Sequence, residues 1–326
     1  MDIKLALRVA KDNWNNIDWW RETALPFARR SALSGTLRPY YWLFGPDSDD
    51  FVEEDWDNLL ILDACRYDMF EKTCEIDGEL ESRTSVGSST PDFLKQTFRG
   101  GDFQDIVYVT ANPQVNLRLD PDIFHDVVEV WKTDWNDDLG TVEPRRVTER
   151  AIEALERYPN KRLIIHYMQP HYPFIGQKSE ELDGHSGFEL SKRLASDEEA
   201  DRDERTVWDQ LKDGEVSEET VWQAYVENLE FVLNDIESSI DEFEGKTVIT
   251  SDHGNLMGET ATPYQLELYG HPTGIHAEDL VTVPWLSIES GLRRETYEGE
   301  RTERVSQHDI EDEDEIQERL KDLGYA

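Results

Sequence analysis

Lys246-Thr-Val-Ile-Thr-Ser-Asp252-His253-Gly254 is the stretch around which the rest of the chain can be ordered. A β-branched apolar run ends in an acid, a histidine and a glycine. The pattern predicts a buried strand, then two metal-ligating side chains, then a residue that lets the backbone turn, as at the carboxyl edge of a sheet. Asp-His-Gly alone is a weak signal. Its meaning depends on whether the rest of the chain supplies further ligands and a nucleophile.

Immediately upstream, Val221, Trp222, Tyr225, Val226, Leu229, Val232, Leu233, Ile236 and Ile240 recur at helical spacing and predict a long amphipathic helix leading into that strand. Asn58-Leu-Leu-Ile-Leu-Asp63 is a second fully apolar run ending in an acid. Residues 105–110, 126–131, 162–166 and 279–288 read as further strands, Pro284 marking an edge or an irregular start. Residues 65–74 and 312–323 read as helices, as do residues 144–158, which Pro144 opens. The alternation predicts an α/β fold with a mostly parallel central sheet and helices on both faces. Residues 1–50 are expected to form a Trp-rich helical extension and 51–326 one α/β domain, within which 179–219 is an acidic, exposed insertion or lid, partly helical.

The net charge of −39, from 72 acidic against 33 basic residues, is spread over most of the 326 residues and suits solubility in high salt. It disfavours nucleic acid as a partner, because the chain would repel phosphates almost everywhere. Cys65 and Cys74 make neither a disulfide framework nor a zinc ribbon. With no secretory signal and no spanning segment legible, a cytoplasmic location is expected. Residues 1–45 carry an excess of Lys and Arg and an aromatic stripe. A helix packed on the main domain is the expectation there, with peripheral contact to an anionic membrane as the alternative.

Asp63, Asp252 and His253 come from two strand ends and together suit a divalent cation; helix capping is the competing reading for Asp63. Between the first strands, Arg83-Thr-Ser-Val-Gly-Ser-Ser89-Thr90-Pro91-Asp-Phe93 places hydroxyls before a helix, either as N-caps or as a nucleophile beside free N–H groups. His171 lies between Pro170 and Pro173, positioned to donate to a substrate oxyanion. His271 and His276 occupy a later Gly/Pro loop.

Taken in order, these segments resemble the alkaline phosphatase/sulfatase superfamily. The resemblance rests on Leu62-Asp63-Ala-Cys-Arg66, Ser89-Thr-Pro91, Pro170-His171-Tyr-Pro173-Phe174, Tyr225 to Asp235, Thr250-Ser-Asp252-His253-Gly254 with Gly258-Glu259, and Val283-Pro284. It implies an alkaline phosphatase-like three-layer sandwich with one divalent ion (Mn, Zn, Mg or Ca) on Asp63, Asp252 and His253. It further implies Ser89 as nucleophile, with Thr90 and Ser88 as neighbouring choices, and His171 with His271 or His276 binding the transferred group. Phe93 stands where sulfatases that mature a formylglycine carry Arg. A phosphate ester, small-molecule, glycan or lipid-linked, is therefore expected ahead of a sulfate ester. A catalytically silent anion- or glycan-binding protein is the alternative of another class.

Overall fold

The computed structural model describes residues 25–182 and 206–297. Two compact units are distinguished, one of Met1–Tyr40 with Thr302–Ala326 and the other of Tyr41–Arg301. Of the first, only part of helix α1 (Leu25–Phe44) lies among the described residues. The helical stripe expected in residues 3–17 and the helix expected at 312–323 fall outside them.

Seven strands make the main sheet: β1 (Asn58–Asp63), β2 (Glu79–Thr84), β3 (Phe103–Thr110), β4 (Phe124–Glu129), β5 (Arg162–Pro170), β6 (Gly245–Ser251) and β7 (Thr282–Ser290). Their spatial order is β2-β7-β6-β1-β5-β3-β4. The pairs β6/β1, β1/β5, β5/β3 and β3/β4 are parallel, whereas β7 runs antiparallel to both its neighbours. The sheet is thus mostly parallel. β1 is flanked by strands on both edges and all six of its residues are buried, which is why it reads as an unbroken apolar run.

Successive β1 side chains enter opposite layers. Leu60 and Leu62 join a core with Val147 and Ala151 of α5 (Pro144–Arg157) and with Tyr225, Leu229 and Val232 of α7 (Glu218–Ser239). Leu59 and Ile61 join one with Phe93 and Leu94 of α3 (Thr90–Thr97) and Val115 of α4 (Gln114–Arg118). The helices therefore cover both faces, as the alternation of the sequence predicts.

Three readings change. Pro284 is not on an edge strand: β7 lies between β2 and β6, and its pairing with β6 begins only at Trp285, so the proline sits where no β6 partner is needed. The edge is β2, whose alternation of Glu and Arg hid it from an apolar pattern search. Residues 207–212 of the acidic block are not wholly exposed: their helix, α6 (Val207–Lys212), buries Val207, Trp208 and Leu211 and leaves Asp209 and Lys212 exposed. An antiparallel pair, Leu256–Ala261 with Leu266–Gly270, follows the Asp-His-Gly turn.

Candidate active site

The carboxyl ends of β1, β3, β5 and β6 converge. Asp63 ends β1, Asn112 follows β3, His171 follows β5, and Asp252 and His253 follow β6. A crevice outside the carboxyl ends of parallel strands is where an α/β sheet places a ligand.

The turns there are held by their own polar groups. Ala64 adopts a left-handed backbone (φ 61°), its N–H donates to Asp252 Oδ1 at 2.9 Å, and its carbonyl accepts from the Tyr225 hydroxyl. The His253 N–H donates to the same Oδ1 at 2.9 Å. Gly254 is required by close approach rather than by turning: a Cβ there would lie 2.2 Å from the Asp279 carbonyl oxygen. Helix α2 (Tyr67–Thr73) starts at Arg66, so Asp63 is not its cap.

Asp63, Asp252 and His253 present ligand atoms within 4.8 Å of one another, and all three are buried. Asp63 Oδ2 accepts from Asn112 at 2.6 Å, while its Oδ1 has no hydrogen-bond partner among the described residues. Asp252 uses Oδ1 on the backbone and leaves Oδ2 equally without a partner. Burial, and then the charge of Asp252, push the Asp63 carboxyl well above its usual range, and burial raises Asp252 too. The His253 ring donates from Nδ1 to the Gly254 carbonyl at 2.7 Å, which leaves the Nε2 lone pair facing Asp252 Oδ2 at 3.5 Å. Burial lowers its pKa to about 4, so the ring is neutral. Two orphaned carboxylate oxygens beside an imidazole lone pair are chemically a cation site, because two buried like charges need a positive partner.

Of the hydroxyls before α3, the structure brings Thr90 to this cluster. Thr90 Oγ1 lies 3.2 Å from His253 Nε2 and 3.4 Å from Asp63 Oδ2. Ser89 was the residue the motif alignment favoured, yet its Oγ pairs with Thr273 Oγ1 at 2.9 Å. Ser88 Oγ likewise donates to the Pro272 carbonyl and accepts from the Gly274 N–H. The two serines thus bind the loop that carries His271. Neither serine nor threonine caps α3 with its side chain. At the start of that helix the N–H groups of Asp92 and Phe93 both donate to the Ser89 carbonyl, and Pro91 has no N–H.

His271 stacks near His253 and His171, with ring centroids 4.9 Å and 5.0 Å away. Its Nδ1 donates to Asn255 Oδ1 at 2.8 Å, and burial with the neighbouring His253 lowers its pKa to about 3. His171 donates from Nδ1 to the Tyr172 carbonyl, and burial, then His271, hold it well below the usual histidine range. The neutral His271 ring therefore offers Nε2 as an acceptor. His276 stands apart, 3.7 Å from Asp92. Asn112 was missed by sequence reasoning; Asn-Pro reads there as a strand terminator, and nothing local marks it as a partner of Asp63. Phe93, at the position of the sulfatase arginine, is 1% exposed in the core.

No protein-family model and no curated protein matches the chain. Solved structures do. The integral membrane lipooligosaccharide phosphoethanolamine transferase A of Neisseria meningitidis is similar over 88% of this chain and 60% of its own, with 13% identity and a TM-score of 0.44. The C-terminal periplasmic domain of phosphoethanolamine transferase EptC from Campylobacter jejuni is similar over 71% of this chain and 78% of its own, with 14% identity and a TM-score of 0.41. A protein in the alkaline phosphatase superfamily from Vibrio parahaemolyticus is similar over 76% of this chain and 63% of its own, with 13% identity and a TM-score of 0.38. The chain spans 60% of the length of the neisserial transferase.

The expectation of a cytoplasmic location is corrected by the same comparison. It rested on the lack of a legible leader and of a disulfide framework, and two of these similar chains are an integral membrane protein and a periplasmic domain. No helix among the described residues is long and apolar enough to cross a membrane.

Proposed function

We propose that this chain, similar in motif order and fold to the alkaline phosphatase/sulfatase superfamily, cleaves or transfers a phosphate ester through Thr90. The observation that carries the reading is the Thr90 hydroxyl, held between His253 Nε2 and Asp63 Oδ2 beside two orphaned carboxylate oxygens. Asp63 Oδ1, Asp252 Oδ2 and His253 Nε2 are the atoms that would hold a divalent cation. Two carboxylates and one imidazole suit Zn2+ or Mn2+ better than Ca2+, which gathers about 6–8 oxygen ligands. When bound, the cation supplies charge neutralisation at the phosphoryl oxygens and lowers the pKa of a coordinated hydroxyl.

The chain's own groups do the rest. Thr90 Oγ1 attacks phosphorus in line as the ester oxygen leaves, and its proton passes toward Asp63 Oδ2, the carboxylate oxygen it already faces. Asn112, donating to that same oxygen, keeps Asp63 from rotating away. In the second half, water or an acceptor alcohol attacks the phosphothreonine and Thr90 departs. His271 receives the attacking proton, since its Nδ1 proton is committed to Asn255 and its Nε2 lone pair remains. The substrate class, small-molecule, glycan or lipid-linked phosphate, is an expectation of the resemblance.

Sulfuryl transfer after formylglycine formation is the weaker reading, because the buried Phe93 supplies no guanidinium for such a motif. The deciding experiment is intact-mass spectrometry of metal-loaded protein mixed with aryl phosphate, phosphodiester and aryl sulfate substrates. A phosphoryl mass increment that vanishes in Thr90→Ala supports the proposal. An unmodified protein that turns over sulfate but never phosphate sinks it, and one that binds the esters without turnover favours a silent binding protein.

A further inference from the structure

Behind the cation ligands lies a buried pair that the mechanism above does not use. His166, on β5, is 0% exposed. Its Nδ1 is 2.9 Å from the hydroxyl of Tyr108, on β3, which is equally buried. Its Nε2 has no hydrogen-bond partner among the described residues and lies 3.9 Å from Asp252 Oδ2. That carboxylate oxygen is itself without a partner. A buried donor left unmade costs about 1–3 kcal/mol, so two orphans facing each other across 3.9 Å are an arrangement with a purpose to find.

The chemistry of the pair selects a tautomer. The phenol has one proton, and His166 Nδ1 is the acceptor within its reach. With that proton received at Nδ1, the neutral imidazole carries its own on Nε2, aimed at Asp252. Asp252 Oδ1 is saturated by the N–H groups of Ala64 and His253, so Oδ2 is the oxygen that must both reach a cation and be steered. The register makes this possible: His166 lies level with Ile61 of β1, Thr110 of β3 and, through Ile61, Thr250 of β6, two residues before Asp252.

We propose that His166 is a positioning residue for the cation site, its Nε2–H facing Oδ2 of Asp252 across 3.9 Å in a tautomer set by Tyr108 and closing on it as a donor when the cation is held. The proposal rests on the reading of Asp63, Asp252 and His253 as cation ligands. A donor to a ligating carboxylate fixes its orientation, and losing such a partner lowers metal affinity by about 10–100-fold.

The test titrates Co2+ into the metal-stripped full-length protein, reading affinity calorimetrically and ligand geometry from the d–d absorption. Far-ultraviolet circular dichroism reports folding. His166→Phe removes the donor; His166→Gln returns an amide N–H with a reach close to that of Nε2; His166→Asn returns one a bond shorter. Tyr108→Phe frees the tautomer. The expected result is a loss of about 10–100-fold in Co2+ affinity for Phe and Asn, most of it restored by Gln, with a smaller loss for Tyr108→Phe. Equal affinity in wild type and His166→Phe overturns the proposal. Equal affinity in the Gln and Asn variants does so even where the Phe variant fails to fold. A spectrum counting a second imidazole on Co2+, lost in His166→Gln, also overturns it, by making His166 a ligand. A wild-type protein that takes up no Co2+ removes the cation site itself, an outcome distinct from all of these.

Discussion

Thr90 Oγ1 lies 3.2 Å from Nε2 of His253, a contact that sets it apart from the two neighbouring hydroxyls, Ser88 and Ser89. Ser88 and Ser89 face the opposite way, into the loop at Pro272–Gly274. The division of labour follows from backbone geometry: Ser89 is extended (φ −161°), so its side chain and that of Thr90 project in different directions.

That division predicts a clear contrast between two substitutions. Thr90→Ala should lower turnover of a phosphate ester by about a thousandfold or more without unfolding the protein. Ser89→Ala removes a bond to Thr273 and should cost less than about tenfold, expressed as misplacement of His271. Steady-state kinetics on both variants decide the matter; the reverse ranking would return the nucleophile to Ser89.

The histidines of the later loop should separate in the same way. His271→Ala removes an imidazole that lies edge-on to His171 and tilted against His253, and should lower turnover by about a hundredfold or more. His276→Ala touches a partly exposed contact with Asp92 and should alter stability by less than about 1 kcal/mol. Comparable losses of turnover in the two variants would refute the assignment.

Metal uptake should release protons, and the carboxylates rather than the imidazole should be their source. In the metal-free protein Asp63 and Asp252 have raised pKa values, so they hold protons at pH values where a free carboxyl would not. Their protonated forms favour the folded state below the ordinary Asp range of about 3.9, and that contribution is lost as pH rises through the raised values. A cation, which needs them ionised, therefore binds more tightly as pH rises through that window. His253, lowered to about 4, is already neutral above it and yields no proton. Calorimetry in buffers of different ionisation enthalpy should detect the release on the acid side of neutrality. Proton-free binding across that range would contradict the assigned ligands.

Gly254→Ala should destabilise the protein by more than about 2 kcal/mol and weaken metal binding with it. The added Cβ meets the Asp279 carbonyl at 2.2 Å, and the Gly254 N–H that donates to Leu280 would have to move. Chemical denaturation of the metal-free protein gives the stability term, and Co2+ titration the second. An unchanged denaturation midpoint would show that the loop after α7 and β6 is free to shift.

The surface charge leads to a further expectation. At −39 the folded chain repels itself, and raising KCl from about 0.1 M to about 1 M shortens the Debye length from ~10 Å to ~3 Å. The thermal midpoint should rise over that range. A midpoint that falls or stays level would remove the argument for adaptation to salt.

The amino-acid order by itself determined the layered α/β architecture, because Leu59–Leu62 and Val248–Ile249 are buried on both faces and write their burial as continuous apolar runs. It also determined Asp63, Asp252 and His253 as a group, since each stands directly after such a run. Edge strand β2 escaped notice because one exposed side gave it charges instead of a pattern. Only the tertiary structure placed Thr90 rather than Ser89, and His271 rather than His276, beside that group, and brought Asn112 and His166 near it. The placement of Ser89 and Thr90 turns on side-chain direction and on contacts between residues 27 to 184 positions apart. Spacing along the chain states which face a residue can occupy; it does not state what lies opposite, and in a buried site the partner opposite sets tautomer, charge and role.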